Sequence, residues 1–174
     1  MLIRPATAGD LPSMAAVYAH YVATSVVTFD EISPEPAFWE SRLGDLDARG
    51  LPFLVADVDG EVAGYALASQ WRPKPAYRHT VEDSIYLAPG RTGQGLGRAL
   101  LGELLERCAK AGMRQVVAVI ADTGDAASVA LHRAFGFVSA GRLTGVGFKL
   151  GRWVDTELLQ LDLTRHRQAD DRRR

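Results

Sequence analysis

Two spacings of apolar residues alternate along the chain, and each change of spacing marks a change of element. Residues 2–4 make a short extended run. Behind Asp10, the residues Leu11, Met14, Ala15, Tyr18, Tyr21 and Val22 recur at intervals of three and four, which predicts a helix capped by that aspartate. A second helix is expected to open at Ser33-Pro34, to carry Phe38, Trp39, Leu43 and Leu46, and to end at Gly50. Residues 24–32 lie between them, and with Val26, Val27 and Phe29 they are too apolar for a plain solvated loop.

From residue 53 the period falls to two. Residues 53–58 and 61–69 read as strands joined by Asp59-Gly60, a strong hairpin signal. Residues 71–79 form a basic connection broken by prolines. Residues 80–87 follow as a strand with Val81, Asp83, Ile85 and Leu87 on one face and Thr80, Glu82, Ser84 and Tyr86 on the other. A glycine-rich turn at 90–97 feeds a long helix through Leu96, Leu100, Leu101, Leu104, Leu105 and Cys108, closed by Gly112. Residues 116–120 are uninterruptedly apolar, as expected of a strand buried on both faces. Asp125 is placed to cap a further helix that ends at Gly136. Phe137-Val138 begins another strand, and 156–163, with Leu159, Leu161 and Leu163 alternating, is the last. Beyond Arg165 the chain is polar and expected to fray.

This order predicts a single α/β (α+β) domain over residues 1–164, a mixed and mostly antiparallel sheet flanked by helices, followed by a charged tail at 165–174. With 174 residues, 47% of them hydrophobic, one well-filled core is feasible and little remains for a second domain. The net charge of -1 supplies no field to hold a polyanion, so no nucleic-acid partner is expected. No apolar run approaches a membrane span and the N-terminus lacks a signal-peptide layout, so a soluble cytoplasmic protein without a membrane partner is expected. Cys108 is the only cysteine. An internal disulfide is thereby ruled out, no metal site is expected, and the helical pattern around Cys108 reads it as core.

The turn Arg91-Thr92-Gly93-Gln94-Gly95-Leu96-Gly97 stands between a strand and a helix. There, successive backbone N–H groups and the helix N-terminus can converge on a phosphate. Glycines equally suit a bare tight turn. A Walker loop would need Gly-Lys-Ser/Thr where the chain has Gly97-Arg98-Ala99. The dinucleotide fingerprint fails too, because Arg98 and Leu100 stand where its third glycine is required.

The turn, its helix, the run at 116–120 and the segment from Asp125 through Ser128 and His132 to Phe137 resemble the coenzyme A core of the GNAT N-acetyltransferases. The family's turn is Gln/Arg-x-x-Gly-x-Gly/Ala. It is met here at Gly95 and Gly97, with Thr92 in the Gln/Arg position and Arg91 one place earlier. Over nearly the whole chain the sequence is similar to the phosphinothricin and methionine sulfone/sulfoximine acetyltransferase branch. The stretches that carry this are Val-Val-Thr-Phe at 26–29, Trp-Arg-Pro-Lys-Pro-Ala-Tyr-Arg at 71–78, Thr-Val-Glu-Asp-Ser-Ile-Tyr at 80–86, and Gly-Phe-Lys-Leu-Gly-Arg-Trp-Val-Asp at 147–155.

The resemblance implies a homodimer that binds acetyl-CoA as acyl donor and acetylates the α-amine of a small zwitterion with a tetrahedral phosphorus or sulfur group. It implies acetyl-CoA contacts at Ile85, Tyr86, Leu87, Gly93, Gln94, Gly95, Leu96, Gly97, Arg98, Asp125 and Ser128. Acceptor contacts are implied at Phe29, Arg72, Pro73, Lys74, Glu82, Asp83 and Ser84.

Attack by an amine needs a base for the ammonium and an acid for the leaving thiolate. Glu82 is the candidate base, against a reading in which it only orders Thr80 and Ser84. His132 is the candidate acid, with an ordinary half-buried helix histidine as the alternative. His20, His79 and His166 have no such context. Backbone N–H groups around Tyr86 and Leu87 are expected to steady the oxyanion. Phe29, Trp71 and Trp153 stand as pocket walls or as core. A coenzyme A-binding sensor without turnover, an acetyltransferase for a different amine, and a nucleotide-binding module are the rival readings.

Overall fold

Asp59 and Gly60 both take left-handed backbone angles, φ 55° and 86°, and the Asp57 carboxylate accepts the Gly60 N–H at 2.9 Å. β2 (Phe53–Val58) therefore turns directly into β3 (Glu61–Gln70). The structure is a computed structural model that describes residues 1–164, and within these the strands form one seven-stranded sheet. β1 (Leu2–Pro5) pairs antiparallel with β2, and β3 pairs antiparallel with β4 (Thr80–Leu87). β4 then runs parallel to β5 (Gln115–Ala121), the one parallel neighbour in the sheet. A long hairpin of β6 (Val138–Lys149) and β7 (Arg152–Asp162) joins β5 through β7.

Alternation along the strands sends helices to both faces. On one, α1 (Leu11–Thr24) sets Tyr18 and Tyr21 against Tyr86, and α2 (Pro36–Ala48) sets Trp39 against Tyr65. On the other lies α3 (Leu96–Lys110), whose Leu100, Leu101, Leu104, Leu105 and Cys108 are buried. At about 1.5–3 kcal/mol for each large side chain removed from water, this seam is the principal adhesion of helix to sheet. α4 (Ala127–Ala134) lies beside α3, close enough that a Cβ on Gly97 would come within 3.3 Å of Leu131.

Several expectations shift by a few residues for local reasons. α2 begins at Pro36, not at Ser33-Pro34, because the residue before a proline is kept out of the helical region; Glu35 is extended (ψ 157°). Asp10 does not cap the first turn of α1. Its carboxylate turns back to the Thr7 N–H and hydroxyl, each at 2.8 Å, and grips Arg4, which holds its carboxyl well below the usual range. The run at 116–120 is buried on both faces only in its first half; Val119 is 37% exposed. The strand expected to begin at Phe137-Val138 runs from Val138 on to Lys149 as β6, and the last strand opens at Arg152 and not at Thr156; the two meet in a turn at Leu150 and Gly151 (φ 50° and 74°). The tail at 165–174, with His166, lies outside the described residues.

Candidate active site

β4 and β5 are hydrogen-bonded only from Thr80↔Gln115 to Glu82↔Val117, and beyond that point they diverge. β4 stays paired with β3 throughout, so its far half acquires a free edge. The Trp71 N–H donates to the Thr80 carbonyl at 3.1 Å and the Ala88 N–H to the Ala63 carbonyl at 2.9 Å, which ties the even-numbered residues of β4 to β3. Ile85 and Leu87 consequently turn their N–H groups into the opening. The Tyr86 N–H belongs to the ladder, so of the two donors expected around Tyr86 and Leu87 the backbone supplies the second. The Leu87 carbonyl is taken by the Tyr21 hydroxyl at 2.8 Å.

The divergence leaves a cleft of about 780 Å³. At one end stands the glycine turn. Gly93 and Gly95 have φ near +75°, and a Cβ on either would meet nothing within 4 Å. Among the described residues, no N–H from Gly93 to Arg98 finds a partner within the chain; the first to do so is that of Ala99, on the Gly95 carbonyl at 3.0 Å. These donors stand at the N-terminus of a 15-residue helix beside open space, the arrangement an anionic phosphate needs. Across the cleft, the Asp125 carboxylate accepts the Ala127 N–H at 2.9 Å and opens α4.

At the point of divergence, Glu82 and Asp83 go to opposite faces. Glu82 is half-buried on the face of α1, and its carboxylate makes no hydrogen bond with any described residue. Burial raises its pKa, the Asp83 charge adds to this, and Arg72 and Arg42 partly oppose it. Asp83 is buried under α4, where its Oδ2 meets His132 Nε2 at 2.9 Å. His132 is 4% exposed, and its Nδ1–H donates to the Ser128 carbonyl at 2.7 Å. Burial pulls the imidazole pKa down, but Asp83 and the Ser128 carbonyl outweigh it, and the net shift is upward. A proton passed from Nε2 into the opening would exchange the Asp83 bond for a new one.

The structure brings most of the sequence candidates together. Phe29, Glu82, Asp83, Ser84, Ile85, Tyr86, Leu87, Gly93, Gly95, Gly97, Arg98, Asp125, Ser128 and His132 all line the cleft. Gln94 and Leu96 lie in the same turn but outside the lining: Gln94 Nε2 bonds the Gly90 carbonyl at 3.4 Å and Leu96 is buried. Arg72, Pro73 and Lys74 stand exposed on the connection after β3; of these, Arg72 acts electrostatically on Glu82. Trp71 and Trp153 do not line the cleft.

Sequence reasoning missed Tyr18, Tyr21 and Thr28, which line its other end, and Thr156, whose buried Oγ1 has no partner. Tyr18 and Tyr21 were legible only as helix-spaced apolar positions. Burial pushes the Tyr86 phenol up to about 12, so it stays neutral.

This geometry has known counterparts. The sequence model of the Acetyltransferase (GNAT) family matches residues 14–137, and the chain belongs to that family: it is an N-acetyltransferase that uses acetyl-CoA. It is 49% identical over 154 residues to a phosphinothricin N-acetyltransferase of Alcaligenes faecalis, covering 88% of this chain and 78% of the relative. It is 42% identical over 171 residues to an L-methionine sulfoximine/L-methionine sulfone acetyltransferase of Pseudomonas paraeruginosa, covering 96% of this chain and 97% of that one. Among solved structures, a phosphinothricin acetyltransferase of Sinorhizobium meliloti in complex with acetyl-CoA superposes with a TM-score of 0.88. It is 44% identical, over 92% of this chain and 87% of that one.

Proposed function

We propose that the enzyme acetylates the α-amine of a small amino acid bearing a tetrahedral phosphorus or sulfur group, of the phosphinothricin, methionine sulfone or methionine sulfoximine type. The observation that carries this is Glu82: a carboxylate with raised pKa and no partner, at the point where the strands of an acetyl-CoA cleft part. The curated relatives' acceptors support the substrate class.

The donor's phosphates lie on the free N–H groups of the Gly93–Arg98 turn, and its amide-bearing chain runs along the open edge of β4. Glu82 takes the proton of the acceptor's ammonium, directly or through a water. The free amine attacks the thioester carbonyl, whose oxyanion the Leu87 N–H steadies. As the C–S bond breaks, the thiolate takes a proton, for which His132 is the donor: Asp83 keeps the ring protonated, and with Nδ1–H on Ser128 the proton in play is that on Nε2. Arg72, with Pro73 and Lys74 on the same connection, faces the acceptor's anionic end. The working form is a cytoplasmic homodimer, and acetylating phosphinothricin would confer resistance to it.

Thiol release from acetyl-CoA, measured over phosphinothricin, methionine sulfone, polyamines and peptides, tests the reading. Turnover restricted to the first two is expected. Thiol release only with polyamines or peptides would replace the substrate class, and acetyl-CoA binding without turnover would make the protein a sensor.

A further inference from the structure

The connection between α1 and α2 has no helix or strand of its own, yet β6 holds it at two points. Lys149, 3% exposed, carries its amine to the Thr28 carbonyl at 2.8 Å. Two residues earlier on the same face of β6, Gly147 lies flat beneath the Phe29 ring. A Cβ at 147 would stand 2.8 Å from Phe29 Cδ2 and nearer still to Cε2 and Cζ. From α1, the Tyr18 hydroxyl donates to Asp30 Oδ2 and receives the Thr28 hydroxyl, each at 2.6 Å. Desolvating an ammonium is unfavourable, so a buried lysine spent on one backbone carbonyl marks a segment whose position matters. Val27, Thr28 and Phe29 are that segment's contribution to the cleft, and the transfer chemistry uses none of the groups that hold it.

We propose that Gly147 is a specificity-determining position. By letting Phe29 lie against the β6 backbone it sets the depth of the acceptor end of the cleft, and Lys149 holds the 25–31 strap in that position. The inference rests on the reading that the acceptor binds beside Glu82 at this end. Gly147 acts through Phe29 and is a positioning residue. Any side chain there must drive the ring back by roughly 1 Å to regain ordinary contact distance, and the space it retreats into is the cleft. Phe29 is 41% exposed, so the ring moves without the core being disturbed. The depth so fixed discriminates among acceptors by side-chain length, where one methylene is worth roughly 10–200-fold.

The test compares wild type, Gly147→Ala, Phe29→Ala and the double variant on methionine sulfone and on its analogue one methylene shorter, S-methylcysteine sulfone. Gly147→Ala is expected to raise KM for methionine sulfone about tenfold and to leave the shorter acceptor within about twofold, with KM for acetyl-CoA unchanged. Adding Phe29→Ala should abolish that discrimination, the non-additivity expected of residues in contact. Equal effects on both acceptors, or simple additivity, would overturn the inference. Wild type that turns over neither sulfone would overturn the substrate reading instead. Anchoring is decided without turnover: Lys149→Met should speed amide hydrogen exchange across residues 26–31, and unchanged exchange there would show that the strap does not depend on Lys149.

Discussion

Glu82 and Asp83 are neighbours along β4 whose environments differ because a strand sends successive side chains to opposite faces. The carboxylate of the first stays unpaired where the proposed acceptor would bind, and the second is spent on His132. Glu82→Gln should lower kcat by about 10²-fold or more at neutral pH and by less as pH rises, where the amine deprotonates unaided. Because the Glu82 pKa is raised, the acid limb of the wild-type pH profile should lie above the ordinary carboxylate range. A small loss, constant with pH, would leave Glu82 a structural residue.

The Asp83–His132 pair has its own signature. An imidazole whose folded pKa is raised contributes stability that is fully present below its unfolded value of about 6.5 and is lost as pH climbs through the folded one. Asp83→Asn should therefore cost most near pH 6, about 3–5 kcal/mol for a broken buried pair, and less in alkaline solution. Urea unfolding of both proteins across pH 5.5–9.5 measures it; a gap that widens with pH would mean that the ring is neutral in the native state.

The turn before α3 works through its backbone. Gly95 is left-handed and faces open space, so a valine there strains the chain by roughly 1–2 kcal/mol and also projects a branched side chain where phosphate would lie. Gly95→Val should weaken acetyl-CoA binding at least about tenfold in calorimetric titration while the protein remains folded. Undiminished affinity would move the donor away from this turn. Gly97 is a different case: its neighbour is Leu131, so a side chain there disturbs the α3–α4 contact as well. The full length of β6 and the early start of β7 escaped sequence reading for an equally local reason. The turn between them is Leu150-Gly151, without the Asn-Gly or Asp-Gly signature, and the register slips between Leu143 and Gly147, which breaks the alternation that reveals a strand.

The β6–β7 hairpin also carries a cluster of exposed apolar side chains. Trp153 is 70% exposed and packs on Phe148 at 5.0 Å, with Leu150 at the turn and Val146 on the same strand as Phe148. Apolar patches of this kind on a folded chain mark association sites, and the proposed homodimer supplies an occupant. Trp153→Asp should shift the protein from dimer to monomer in sedimentation velocity at micromolar concentration. A wild-type monomer under the same conditions would remove the dimer from the account.

Element type was legible from period alone for α1, α3, the β2–β3 hairpin and β4, because helix and strand impose different spacings on a buried face. The Gly95-x-Gly97 turn and the segment around His132 were legible too, as a glycine turn that opens one helix and as a further short helix, because such turns demand particular residues in particular order. No spacing in the chain encodes where β4 and β5 part company. That divergence turns a run readable as a strand buried on both faces into a cleft wall, and it depends on β7 pairing along β5 while β4 follows β3. Nor does any local pattern tell that Asp83 meets His132 across 49 residues, that Lys149 reaches Thr28 across 121, or that a lone glycine in β6 is the bed of Phe29. Such contacts join segments far apart along the chain, so their energetics exist only once the sheet has brought those segments together.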